Sequence, residues 1–394
     1  MITDNFLEKA NDLFSYTQNL RRDFHQHPEL GFEEFRTAKI VSQELTELGL
    51  EVTTGVGKTG VVAILEGNYP GPVILMRFDM DALPVTEETG ASYASLTPGL
   101  MHACGHDGHT ALGLTTARIL AAHREEIHGK IKFAFQPAEE GRGGAEAMIK
   151  DGVLQNPKVD AALGLHLWNQ LPVGNAAVTP GAFMAGSDEF TITITGKGGH
   201  GASPEASIDP IVAAAQVVLA LQTIVARNVP PQAAVVISVT QVQAGTAFNI
   251  IPPESLLKGT IRYFDKEVHQ RVTQRMEEIV THVAAGFECS STIEIIPMTP
   301  VVFNDSDIAQ IVTSTGNQVI ENINIKSEYK STVSEDMSLF LEQVPGCFFF
   351  VGSANPEKGL DFGHHHPKFD FDESVLPVAA AWIAAAAVNL GNKK

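Results

Sequence analysis

A chain of 394 residues is long enough for two or three domains of the usual ~100–200 residues each. With 44% hydrophobic and 19% charged residues it can bury a large core, which excludes a disordered chain. A net charge of −19 is repelled by phosphate backbones and anionic bilayers; it excludes nucleic acid and membrane as partners but leaves an anionic small molecule open, because there the local field decides.

The first segment, through Arg22, carries Asp4, Glu8 and Asp12 and lacks the basic start and apolar run of a secretory leader. Apolar residues at helical spacing predict helices over 6–22 and 33–48, the second stopped by Gly49. Short apolar runs predict strands at 61–65, 73–76, 131–135 and 159–165, with a helix over 110–123 between the second and third. This alternation predicts an α/β domain whose central sheet is covered by helices on both faces. The middle differs: strand 189–195, helix 210–226, strands 234–242 and 255–264, helix 266–285, strand 292–296. That order is ferredoxin-like and predicts an inserted α+β domain. Helices at 307–320 and 335–341, a strand at 347–351 and an Ala-rich helix over 375–388, too short for a membrane span, resume the first style. The expected division is a catalytic domain from residues 1–186 and 299–394 around an insert at 187–298. Three scattered cysteines, Cys104, Cys289 and Cys347, supply no disulfide framework and place the chain in the reducing cytoplasm.

Polar clusters follow the predicted strands of the α/β part: Asp79 and Asp81, Glu139 and Glu140, His166, and at some remove His364–His365–His366. In open α/β sheets, sites form beyond the carboxyl ends of strands. A fifth cluster, from His102 through Cys104, His106 and Asp107 to His109, opens a helix in a Gly-rich segment. Singly, each has a plainer reading: His166 as a core histidine, Cys104 as a small buried hydrophobe, the glutamate pair as a solvated turn, Asp79 and Asp81 as caps. Together Cys, His, Glu and Asp form a metal-ligand set, and two ions held close would clamp a bridging water. Side chains of adjacent residues diverge, so one glutamate of the 139–140 pair can ligate while the other works as a base.

These stretches resemble the di-metal amidohydrolases of the aminoacylase and carboxypeptidase family, in the branch with hippurate hydrolases, N-acetyl-diaminopimelate deacetylases and auxin-conjugate hydrolases. The resemblance lies in Arg22 to Leu30, Phe78 to Pro84, Met101 to Thr110, Gln136 to Gly141, Gly164–Leu165–His166, Gly198 to Pro204, Asn249 to Pro252 and His365 to Glu373, spread over nearly the whole chain in the family's order. It implies hydrolysis of the amide bond of N-acyl amino acids by a metal-bridged hydroxide, with a dipeptidase or carboxypeptidase as the alternative. It implies two divalent ions per subunit, zinc first and manganese, cobalt or nickel after it. Cys104 would bridge them, His106 and His166 completing one site and Glu140 and His365 the other. Glu139 would be the general base and Asp81 a support, while Asp79 stands where the carboxypeptidase branch has a histidine ligand. The insert is similar to the family's lid and dimerisation domain, which implies a homodimer or higher homo-oligomer. There His200 would stabilise the oxyanion in the partner's site, and Asn249 and Arg262 would bind the substrate carboxylate.

Overall fold

The computed structural model describes residues 5–393; Asp4, noted above, lies outside them. The chain forms two compact units, Met1–Gly181 with Phe303–Tyr329 and Glu335–Lys394, and Ala182–Val302 with Lys330–Ser334.

The first unit is built on eight strands in the order Glu51–Val56, Gly60–Glu66, His128–Gln136, Tyr69–Asp79, Ala161–Pro172, Gly346–Ala354, Asn175–Ala177 and Asn324–Lys326. The central four, from His128–Gln136 to Gly346–Ala354, run parallel. Successive side chains of a strand face opposite ways, and Ile74, Leu75 and Met76 are all fully buried, so both faces of this sheet are covered. Helices His106–Ala122 and Val375–Gly391 pack on it and on each other, as do Gly144–Lys150 and Met337–Leu341. Every residue from 379 to 387 is fully buried, which is why that helix is rich in alanine: large side chains would not fit on all sides.

Two expectations change. The helix expected over 6–22 is two, Phe6–Asp12 and Phe14–Gln26, because Leu13 leaves helical geometry at φ −89°, ψ 2°. The outer strands carry no readable period, since Glu51–Val56 is mostly exposed and Asn175–Ala177 and Asn324–Lys326 are three residues long.

The second unit is a four-stranded antiparallel sheet in the order Val235–Ala244, Glu254–Tyr263, Gly186–Thr195, Ser290–Thr299. With helices Pro210–Thr223 and Lys266–Gly286 this is the ferredoxin-like arrangement. Both helices start at an aspartate whose carboxylate accepts backbone N–H bonds, Asp209 from Ile211 and Asp265 from Glu267 and Val268. The helical stretch Pro210–Asn228 has the length and composition to cross a membrane. Its residues Ala213, Ala214, Val217, Leu221 and Ile224 are buried in the core of this unit.

Candidate metal centre

Asp79 ends its parallel strand, and Glu139 and Glu140 follow directly on the next one, at Gln136. His166 departs from expectation: its strand runs on to Pro172, so the ring projects from within the strand rather than from the loop after it. Gly105, at φ +91°, caps helix His106–Ala122 in a conformation that resists a side chain and sets Cys104 and His106 either side of the turn. His365 also has a left-handed backbone, φ +66°, and its N–H donates to Ala103 O at 2.7 Å, tying the 364–366 segment to the cysteine's neighbour.

The donor atoms of Cys104, His106 and His166 lie within 4.8 Å of one another, and so do those of Cys104, Glu140 and His365. Cys104 is common to both groups. Its Sγ is 3.5 Å from His166 Nε2, and Glu140 Oε1 is 3.2 Å from His365 Nε2. A third group, His106, Glu139 and Glu140, places Glu139 beside them.

The surrounding hydrogen bonds fix which ring nitrogens are bare. His106 Nδ1 donates to Asp81 O at 2.9 Å and lies 3.2 Å from Asp81 Oδ1, leaving its buried Nε2 without a hydrogen bond, 3.7 Å from Asp79 Oδ2. His166 Nδ1 donates to Leu167 O at 2.7 Å, so Nε2 carries the lone pair. Glu140 Oε1 is likewise buried without a hydrogen bond. Such orphaned lone pairs, converging on a thiol, fit divalent cations. His109 is excluded by the same accounting: Nδ1 pairs with Asp79 Oδ1 at 2.6 Å and Nε2 accepts from Leu167 N–H at 2.9 Å. Asp79 is occupied too, its other oxygen taking Arg77 Nη1 at 2.6 Å.

The field also calls for positive charge. Burial and the carboxylates of Glu140, Glu139 and Asp79 push the Cys104 thiol far up, so a thiolate forms only against a cation. Burial lowers His106, but Asp79 and Asp81 outweigh it and raise it to about 10, so without a cation Nε2 would hold a proton whose place a bound ion would take. His166 is held well below its ordinary value by burial and by His109 and His364, which keeps it in the neutral form that ligates. Burial, with Glu335, Glu140 and Asp336 nearby, lifts Glu139 well above the usual carboxylate range.

Sequence reasoning missed the support beneath these residues. Arg77, fully buried, pairs with Asp79, Glu335 and Asp336. A charged residue inside an otherwise apolar strand run was the available signal; Glu335 and Asp336, in a polar loop, offered none. In the second unit, strand Gly199–His200 pairs with Ile250–Ile251, and Gly201 N–H donates to Asn249 O at 2.8 Å, so His200 and Asn249 are neighbours. Arg262 does not join them. It stands eight residues beyond Glu254 on one strand, about 26 Å at ~3.3 Å per residue.

The chain matches the model of peptidase family M20/M25/M40 over residues 75–389. It is 40% identical over 372 residues to N-acetylcysteine deacetylase of Bacillus subtilis, covering 94% of this chain and 95% of that one. It is 38% identical over 385 residues to IAA-amino acid hydrolase ILR1-like 4 of Arabidopsis thaliana, covering 97% and 87%. Among solved structures it is similar to the Bacillus subtilis YXEP protein, described as a dinuclear metal binding peptidase from M20 family, with a TM-score of 0.85, 36% identity and coverage of 98% and 100%.

Proposed function

The chain belongs to peptidase family M20/M25/M40, and from that premise we propose that it deacylates N-acyl amino acids by hydrolysing their amide bond. It is a hydrolase of amide bonds that works with two divalent metal ions. The observation that carries the reading is the sharing of Cys104 between two three-donor clusters, with Glu139 beside them.

In this proposal Cys104, His106 and His166 hold one ion and Cys104, Glu140 and His365 the other. When bound, the pair polarises the amide carbonyl and acidifies water. Glu139 takes a proton from the attacking water and returns it to the amine as the C–N bond breaks, so the products are a carboxylic acid and an amino acid. Asp81 keeps the His106 proton on Nδ1. His200 stabilises the oxyanion, and Asn249 and Arg262 bind the substrate carboxylate. One chain cannot put Asn249 and Arg262 on the same carboxylate across the strand's length, which supports a homodimer with residues 187–298 as its lid and dimerisation domain between catalytic parts 1–186 and 299–394. One thiol and three imidazoles favour zinc over manganese, cobalt or nickel, and the sparse cysteines favour the cytoplasm.

A dipeptidase or carboxypeptidase is the second reading, supported by the peptidase description of the YXEP protein. Metal analysis of the purified protein, followed by N-acetyl and N-benzoyl amino acids, their α-carboxamides and dipeptides assayed side by side, separates the two. N-acyl amino acids with a free carboxylate should give the highest kcat/KM. Faster dipeptide cleavage selects the second reading, and no cleavage of any of them refutes both.

A further inference from the structure

The loop between strand His128–Gln136 and helix Gly144–Lys150 carries both glutamates of the centre, and its backbone is in an unfavourable state: Ala138 is left-handed, at φ +55°. One distant side chain clasps both ends of this loop. Gln136 Nε2 donates to Asp336 Oδ1 and Oδ2 at 2.8 and 2.9 Å, and Ala145 N–H donates to Oδ2 at 3.0 Å. Arg77 completes the ring, donating from Nη2 to Asp336 Oδ1 at 2.9 Å and from Nε to Gln136 Oε1 at 2.9 Å. Between the ends, Glu34 Oε1 accepts from Ala138 N–H at 2.9 Å and Asp81 Oδ2 from Glu140 N–H at 3.0 Å. Asp336 is 4% exposed and belongs to none of the clusters that share Cys104.

We propose that Asp336 is a positioning residue for the amide hydrolysis, acting through the 136–145 loop to set Glu140 against Cys104 and His365 and to aim Glu139. The inference rests on the metal centre proposed above. Its mechanism is geometric: three donors make four hydrogen bonds to two oxygens, so the residues at the loop's two ends cannot separate while that carboxylate is in place.

Asp336→Asn keeps the shape but turns one acceptor into a donor facing donors. Asp336→Asn with Gln136→Glu reverses the polarity of the 136–336 bond and conserves charge; the asparagine's one oxygen then serves either Arg77 Nη2 or Ala145 N–H, which address different oxygens of Asp336 in the wild type. The readouts are zinc affinity by competition with a chelator, amide hydrogen exchange of residues 138–145 in metal-free protein, and kcat against KM. D336N should bind its weaker zinc ~10–100-fold less tightly, the usual effect of losing a residue that orients ligands. It should exchange faster across the loop and lose kcat while KM barely moves; the double variant, with the 136–336 bond remade and one of the other two bonds still lost, should recover part of each. D336N with wild-type zinc affinity and loop exchange, or a double variant no better than D336N, overturns the proposal. If D336N does not fold, Gln136→Leu, which leaves Asp336 its bonds to Arg77 and Ala145, takes its place, and unchanged zinc affinity there overturns it equally. Failure of the wild type to hydrolyse any substrate would sink the hydrolytic reading, while the zinc and exchange results would still decide the role of Asp336.

Discussion

Replacing Cys104 by alanine removes the one donor that both clusters share, taking each from three donors to two. Each variant site lacks its only thiolate, so both ions should be lost rather than one. Thermal unfolding measures this. An ion present at about 100 times its Kd stabilises the native state by about 2.7 kcal/mol, so two contribute about 5 kcal/mol. At ~2.1 cal/mol/K per residue, a chain of 394 residues unfolds with an entropy of about 0.8 kcal/mol/K. The metal-dependent rise in midpoint is then about 6 °C for one-step unfolding, and about 10 °C if the first unit unfolds by itself. The metal-free variant should lie within about 1 kcal/mol of the metal-free wild type, because only one sulfur is removed. Calorimetry with and without chelator, beside elemental analysis, should show two metal equivalents and the full shift in the wild type and neither in the variant. A C104A protein that keeps two equivalents and the wild-type shift would refute the shared-donor argument.

Glu139→Gln should retain both metals yet lose turnover by ~10²–10⁴-fold or more, as a general base and leaving-group acid would; near-normal kcat in the metal-loaded variant counts against the role. Glu34 is buried, and burial pushes its carboxyl from 4.5 to about 7. Because the folded value lies above the unfolded one, its contribution to stability is whole below about pH 4.5 and is lost as pH rises through about 7. The wild type should lose about 1–3 kcal/mol across that window, whereas Glu34→Gln, whose amide can still accept from Ala138 N–H and donate to Thr59, should not; parallel urea midpoints at both ends of the window would refute this. Gly113→Ala lies in helix His106–Ala122, where alanine is intrinsically better by ~1 kcal/mol. Its Cβ would stand 2.7 Å from Phe78 Cγ and 2.9 Å from Phe135 Cε1, both rings buried. Overpacking of ~1–3 kcal/mol should win, so a stabilised variant in urea unfolding would contradict the packing.

The parallel core was legible because strands buried on both faces read as unbroken apolar runs, as at 73–76 and 131–135. The ferredoxin-like unit was legible through its order of elements. The candidate donor clusters were legible where the chain keeps chemistry contiguous, as in His102 to His109 and Glu139–Glu140. What escaped was held together across the sequence. Arg77, Glu335 and Asp336 form one buried ion-pair group, yet the two acids lie in a loop that reads as ordinary solvated chain. His109 looks as ligand-like as His106 in the sequence; only the partners on both its nitrogens distinguish it. Arg262 reads as one of three substrate contacts, and only the length of its strand separates it from the other two.

The first unit is written in three pieces, and its last, Glu335–Lys394, brings His365, Asp336 and the alanine-rich helix. Gln136 therefore waits for a partner 200 residues downstream. At ~5–20 residues per second, a ribosome needs about 10–40 s to supply it. During that interval the inserted unit, which has its own core, can finish maturing, while the larger one is a sheet lacking a central strand. Vectorial synthesis thus imposes an order of assembly: a nascent chain halted before Asp336 already carries Cys104, His106 and His166 but lacks His365 and the strand Gly346–Ala354, so the cluster that His365 completes with Cys104 and Glu140 is the last to form.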